Sequence, residues 1–241
     1  MYKHLFLILL ISAALNYSAA QTITGSELLE KVIAYHDPNQ KWDTFNGEFY
    51  VTMQTPNDTK RVSHIQINLL SEYFSVEAVK DTVTTQYILD KSHCTIALNG
   101  KTDLSKAELF SNNLSCDRAN LYKNYYTYLY GLPMKLNDKG TIIHDKVERK
   151  SFKGKVYLVL KATYDETVGS DVWYFYFDPK TFALEVYQFF KTDEKGKVKH
   201  DSGEYILLSE VEVINGIKMP KIRAWYYNKD NAYLGTDTLR Q

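Results

Sequence analysis

The chain has 241 residues, with 29 basic and 29 acidic side chains, so its formal charge at neutral pH is zero. A chain with no basic surplus has no electrostatic reason to seek nucleic acid or an anionic membrane surface. At this length one domain buries roughly 70% of the surface its unfolded chain exposes, so folding requires neither a metal nor many disulfides.

The first element is an address. "MYKHLFLILLISAALNYSAAQ" places Lys3 before an apolar run from Leu5 to Leu15, with the small residues Ser18 and Ala20 just before Gln21. This three-part pattern predicts a secretory signal peptide over residues 1–20, and the run is short of the roughly 20 apolar residues that span a bilayer. The expected mature chain is one domain, 21–241, of 241 − 20 = 221 residues and charge 28 − 29 = −1 once Lys3 is gone. It is expected in the periplasm or secreted, with no further membrane span. Position 21 is glutamine, so a lipid anchor at the cleavage point is not indicated.

"TITGSELLEKVIAYHD" then reads as a helix: Thr24 and Glu27 make a capping box, and Leu28, Leu29, Val32 and Ile33 recur at helical spacing. "GEFYVTMQT" and "RVSHIQINLL" flank Pro56, Asn57 and Asp58 as a hairpin, and "YFSVEAV", "TVTTQYIL" and "HCTIALNG" continue the strands. "TDLSKAELFSNNLSCDRANLYKNYYTYLYG" interrupts them with two helices. Ser115 or Asp117 can cap the second, and Gly131 and Pro133 are placed to stop it. From Thr141 strands resume as "TIIHDKVERKSF", "KVYLVLKATY", "VWYFYFD", "FALEVYQFF", "EYILLSEVEVI", "IKMPKIRAWYY" and a short run near Tyr233. Short turns between them favour antiparallel neighbours. The expected fold is α+β, mostly β: one curved antiparallel sheet of about eleven strands, covered by two or three helices.

Two cysteines, Cys94 and Cys116, are expected to pair in an oxidising compartment. A closed loop of about 22 residues contributes roughly 3 kcal/mol in the chain-entropy model.

Residues 122–130 hold five tyrosines. On a helix, Leu121, Tyr125, Tyr128 or Leu129, and Leu132 fall near one face, with Tyr122, Tyr126 and Tyr130 on the adjacent one. Either the first face is core and the second an exposed aromatic surface, or the helix lies across the mouth of the curled sheet as a lid. In the second case its tyrosines meet an apolar ligand or partner.

Catalytic patterns are absent. His36, His64, His93, His144 and His200 form no helical metal pair, and His93, Cys94 and Cys116 match no common zinc spacing. There is no Gly-x-Ser-x-Gly elbow, Walker loop or dinucleotide fingerprint. His144-Asp145 and Asp165-Glu166 read as solvated turns. No enzyme activity, metal or cofactor is expected.

"YYTYLYGLPMKL" resembles the aromatic stretch ending in Gly-Leu-Pro of LolB-like lipoprotein acceptors. "WYFYFDPKTFALEVYQFF" with "GEYILLSEVEVINGIKMPKIRAWY" resembles the carboxyl half of LolA-like lipoprotein carriers. Most of the mature chain is also similar to a family of secreted bacterial proteins with a domain of unknown function. The Lol resemblance implies a half-barrel enclosing an apolar cavity for acyl chains. The lining expected on that reading is Phe49, Val51, Leu158, Leu160, Trp173, Phe175, Leu184 and Val186, closed from above by Tyr122, Tyr125, Tyr126 and Leu129. A one-residue slip in register would swap faces. Eight buried methylenes give roughly 6 kcal/mol before ordering costs, in the range of micromolar binding. The reading is therefore a binding protein for a hydrophobic small molecule or lipid. Its alternatives are a module docking a protein or glycan through an aromatic surface, and a hydrolase with an unrecognised site.

Overall fold

The period-two alternation becomes strands β1 Asn46–Gln54, β2 Arg61–Asn68, β3 Tyr73–Lys80, β4 Val83–Asp90 and β5 His93–Leu98. After the helices follow β6 Thr141–Ile143, β7 Glu148–Phe152, β8 Lys155–Tyr164, β9 Val172–Phe177, β10 Leu184–Phe190, β11 Glu204–Ile214, β12 Ile217–Tyr227 and β13 Tyr233–Arg240. This computed structural model describes residues 23–241; the expected signal peptide, 1–20, lies outside them. All thirteen strands join one antiparallel sheet in the order β5-β4-β3-β2-β1-β13-β12-β11-β10-β9-β8-β6, with β7 also on β8. The two meanders meet where β1 pairs β13, Val51 opposite Leu239. The sheet is curved and open, the α+β half-barrel expected.

The strand count exceeds eleven partly because "TIIHDKVERKSF" is two strands on one edge of β8, with Ile143 opposite Ala162 and Glu148 opposite Val159. Between them the chain leaves the ladder to receive the first helix. The Gly25 amide donates to the Asp145 carbonyl at 2.9 Å, and Thr24 bridges to Lys146. A Cβ at position 25 would collide with the His144 carbonyl oxygen, so this approach requires glycine.

The described residues form three α-helices, of which α1 and α3 cover one face, called the inner face below. α1, Gly25–His36, has the expected Thr24–Glu27 capping box and buries Leu28, Leu29, Val32 and His36. α2, Lys106–Ser111, has a second capping box from Ser105 and Glu108 and buries nothing. α3, Cys116–Gly131, is capped by Ser115, whose hydroxyl accepts from the Arg118 amide at 3.1 Å. Gly131 does not serve as a left-handed stop: the chain leaves the helix through extended Leu132. A Cβ at 131 would instead collide with the Trp42 indole, so packing requires the glycine. Cys94 and Cys116 are bonded, with Cα atoms 6.0 Å apart, joining β5 to the first residue of α3.

The main core lies between the inner face and α1 and α3. A smaller outer cluster holds Tyr157, Val159, Tyr176 and Val186.

Candidate functional site

The five tyrosines of α3 are distributed over both halves of the sheet. Tyr122, Tyr126 and Tyr130, four residues apart, form a stripe that meets one aromatic ring from each of three strands. Tyr122 lies 5.6 Å from Tyr87 of β4, Tyr126 6.4 Å from Phe74 of β3, and Tyr130 5.1 Å from Phe49 of β1. Such aromatic pairs contribute about 0.5–1.5 kcal/mol beyond their buried area. Tyr125 reaches the other meander, stacking on Trp225 at 6.3 Å, while Tyr128 meets Trp173 at 5.6 Å and bonds the Tyr164 hydroxyl. This corrects the expected division of the helix. Leu121 is 64% exposed, whereas Tyr126 and Tyr130 are each 1% exposed. The helix rotates its tyrosine stripe inward because the sheet beneath supplies matching rings. Burial raises the Tyr125, Tyr128 and Tyr130 hydroxyls well above the usual phenol value.

Seven of the eight expected lining residues share the inner face. Phe49, Val51, Leu158, Leu160, Phe175 and Leu184 are buried there, and Trp173 is partly buried against it. Val186 is not among them. A bulge between Leu184 and Val186 shifts the β10 register, turning Val186 to the outer cluster and Tyr187 inward. Tyr122, Tyr125, Tyr126 and Leu129 do cover this face, but they fill it directly, with the tyrosine rings in contact with the strands.

Sequence reasoning missed a row of polar residues under α3. Arg61 of β2 lies opposite Met53 of β1, Met53 opposite Asp237 of β13, and Asp237 opposite Arg223 of β12. Arg223 is 1% exposed and Asp237 4%. The Asp237 carboxylate accepts from the Tyr125 hydroxyl at 3.3 Å and the Trp225 indole at 3.2 Å. Burial pushes its carboxyl above the usual value, against the pull of Arg223 and Arg61. Arg223 Nη1 donates to the Pro220 carbonyl at 2.7 Å and Nη2 reaches the Leu129 carbonyl of α3 at 3.5 Å. The guanidinium lies 3.8 Å over the Tyr130 ring. Four buried polar atoms here make no directed hydrogen bond: Arg61 Nε, Arg223 Nε and the hydroxyls of Tyr130 and Tyr187. The signal was phase: Arg61 alternates with buried Ser63, Ile65 and Ile67, and Asp237 with buried Leu239.

Clefts flank α3 on two sides. One of about 150 Å³ is walled by Met53, Thr55, Tyr125, Trp225 and Leu234, with Asp237 among its lining. The other, about 670 Å³, runs between Lys123, Thr127 and Tyr128 of α3, Tyr164 and Trp173 of the sheet, and Asp171 in the loop before β9. Only the larger falls within the roughly 300–1,000 Å³ of small-molecule sites. Among the described residues, no three His, Cys, Asp or Glu side chains gather to hold a metal ion, and no helix is long and apolar enough to cross a membrane.

The architecture is that of the LolA-like half-barrels. The crystal structure of a LolA superfamily protein, NE2245 from Nitrosomonas europaea, superposes with a TM-score of 0.50 over 91% of this chain and 92% of that one, at 12% identity. A DUF1329 family protein from Desulfovibrio piger gives a TM-score of 0.45 over 90% of each chain at 8% identity. No curated relative matches the sequence. Residues 3–241 match the model of DUF6503, a family of unknown function, and the chain belongs to that family.

Proposed function

We propose that this protein is a non-enzymatic binding protein for a hydrophobic ligand, a lipid or acyl chain, working in the periplasm or outside the cell. The observation that carries the proposal is the seat of α3. The helix covers an apolar inner face, is rooted at one end by the Cys94–Cys116 bond, and rests on buried groups whose hydrogen bonding is incomplete. Each buried polar atom without a partner costs about 1–3 kcal/mol, so this contact is weaker than its area suggests. A ligand takes the place of the helix on the inner wall, where Phe49, Phe74 and Tyr87 offer apolar surface. The half-barrel shared with a LolA superfamily protein supports the reading at the level of fold. The disulfide supports an oxidising compartment.

Native mass spectrometry of purified protein, with titration of a fluorescent fatty acid, tests this. Expected are a co-purifying lipid or micromolar uptake of the probe, with faster amide exchange in α3 on binding. Absence of both sinks the carrier reading.

One observation favours a docking module as the second reading. On the outer face the exposed ring of Tyr233 lies 5.4 Å from half-buried Tyr226, which stacks at 5.1 Å on buried Tyr205.

A further inference from the structure

The polar row beneath α3 is out of place in a surface meant only for hydrocarbon. A buried guanidinium is costly unless its donors are satisfied, and a neutral acyl chain satisfies none of them. From this row, and resting on the function proposed above, we infer that the ligand is an amphiphile with a carboxylate head, received by the side edge of the Arg223 guanidinium.

The donor geometry carries the assignment. Arg223 Nη1 is committed to its own strand through the Pro220 carbonyl at 2.7 Å. Nη2 and Nε form the other edge of the fork. Nη2 touches only α3, through Leu129 at 3.5 Å, the outer limit of a hydrogen bond, and Nε has no partner. Burial raises the Tyr187 hydroxyl and its contact with Arg223 lowers it, a contact too loose to make a directed hydrogen bond. When α3 leaves, Leu129 and the Tyr130 ring leave with it, and two parallel N–H groups face the emptied wall. A planar carboxylate matches that pair bidentately.

Charge supports a monoanion. The row holds two guanidinium groups, Arg61 and Arg223, against one carboxylate, Asp237, which is already engaged by Tyr125 and Trp225. One negative head brings the row to neutrality. Its acyl chain then runs along the apolar inner wall.

The test compares a fluorescent long-chain fatty acid with its methyl ester on the intact protein at neutral pH. The acid should bind about ten- to a hundredfold more tightly, as a charge-assisted bidentate contact predicts. Arg223→Met, whatever its altered seat for α3 does to both probes, should bring the ratio of acid to ester affinity down to about one. Arg223→Lys, which keeps the charge but loses the fork, should lose part of the preference. Equal binding of acid and ester by the wild type overturns the carboxylate inference while the carrier reading stands. Failure of both to bind overturns inference and carrier reading together. An undiminished preference in folded Arg223→Met or Arg223→Lys protein overturns the assignment to Arg223.

Discussion

α1 and α3 lie on the same inner face, yet α1 seats aliphatic side chains, Leu28, Leu29 and Val32, while α3 seats tyrosines over a partly satisfied row of arginines. The last turn of α1 is also tied to two strands through His36. Its Nδ1–H donates to the Lys218 carbonyl of β12 at 2.6 Å, and its Nε2 accepts from the Leu184 amide of β10 at 3.0 Å. Both ring nitrogens are used, which fixes the neutral imidazole. At α3 the bonding is incomplete: Tyr125 and Tyr128 find partners, whereas the Tyr130 and Tyr187 hydroxyls and the Nε groups of Arg61 and Arg223 do not. Apolar contacts with completed hydrogen bonds make a fixed wall. Aromatic contacts over incomplete ones make the weaker seat, and on the proposed function this is the helix that a ligand displaces.

The largest expected effect lies at the fixed wall. Leu28 is fully buried, so Leu28→Ala should cost about 2–5 kcal/mol in urea unfolding, through lost burial and the cavity left behind. The loss should be global, with amide exchange in β8 and β12 rising together with α1. A loss confined to α1 would show that this helix, too, is a detachable cover.

Removing the disulfide should act on the other helix. Replacing Cys94 and Cys116 with serine opens a link across 22 residues, and the chain-entropy model puts the loss at about 3 kcal/mol. Exchange should rise first in α2 and α3, because the bond holds the root of α3 to β5. Equal acceleration in α1 would count against a separately hinged cover.

Acid should loosen α1. Burial lowers the His36 imidazole to about 4, from an ordinary value of 6.5. Between these values the unfolded chain binds a proton that the folded one does not, so stability falls as pH drops from 6.5 towards 4. The loss should be about 2 kcal/mol by pH 5 and about 3 kcal/mol once pH is below 4. Protonation removes the acceptor for the Leu184 amide. Urea melts of wild type and His36→Gln across this range should differ in slope, the variant being flatter; equal slopes would remove His36 from the account.

Local features were the legible ones. The Thr24 capping box, the start of α3 at Ser115 or Asp117 and the strand alternation rest on spacing within a short stretch, and the Cys94–Cys116 pair on the oxidising compartment that the expected signal peptide implies. What escaped depends on distant partners. The break at 144–147 exists because α1 docks there, and Val186 changes face because of a bulge that no hydropathy pattern marks. The inward turn of Tyr122, Tyr126 and Tyr130 requires Tyr87, Phe74 and Phe49 below. Arg61, Asp237 and Arg223 each stood in a buried phase of their own strand. Their adjacency requires β13 to close between β1 and β12, and strand order is not written in alternation.

The smallest expected effect is the sharpest test of the difference between the helices. Tyr130→Phe removes a hydroxyl that is buried without a partner and keeps the ring that stacks on Phe49 and lies over Arg223. Deleting a hydrogen-bonded hydroxyl ordinarily costs about 1 kcal/mol, whereas deleting an unpartnered one relieves its desolvation. Stability should therefore stay level or rise by up to about 1 kcal/mol. Tyr176→Phe is the control, because the Tyr176 hydroxyl donates to Gln188 at 2.7 Å and its loss should destabilise. On the proposed function, in which the ligand displaces the helix, a firmer seat for α3 should also weaken ligand uptake by the same factor, up to about fivefold. If Tyr130→Phe is destabilised as much as Tyr176→Phe, its hydroxyl is satisfied after all, and α3 is as permanent a wall as α1.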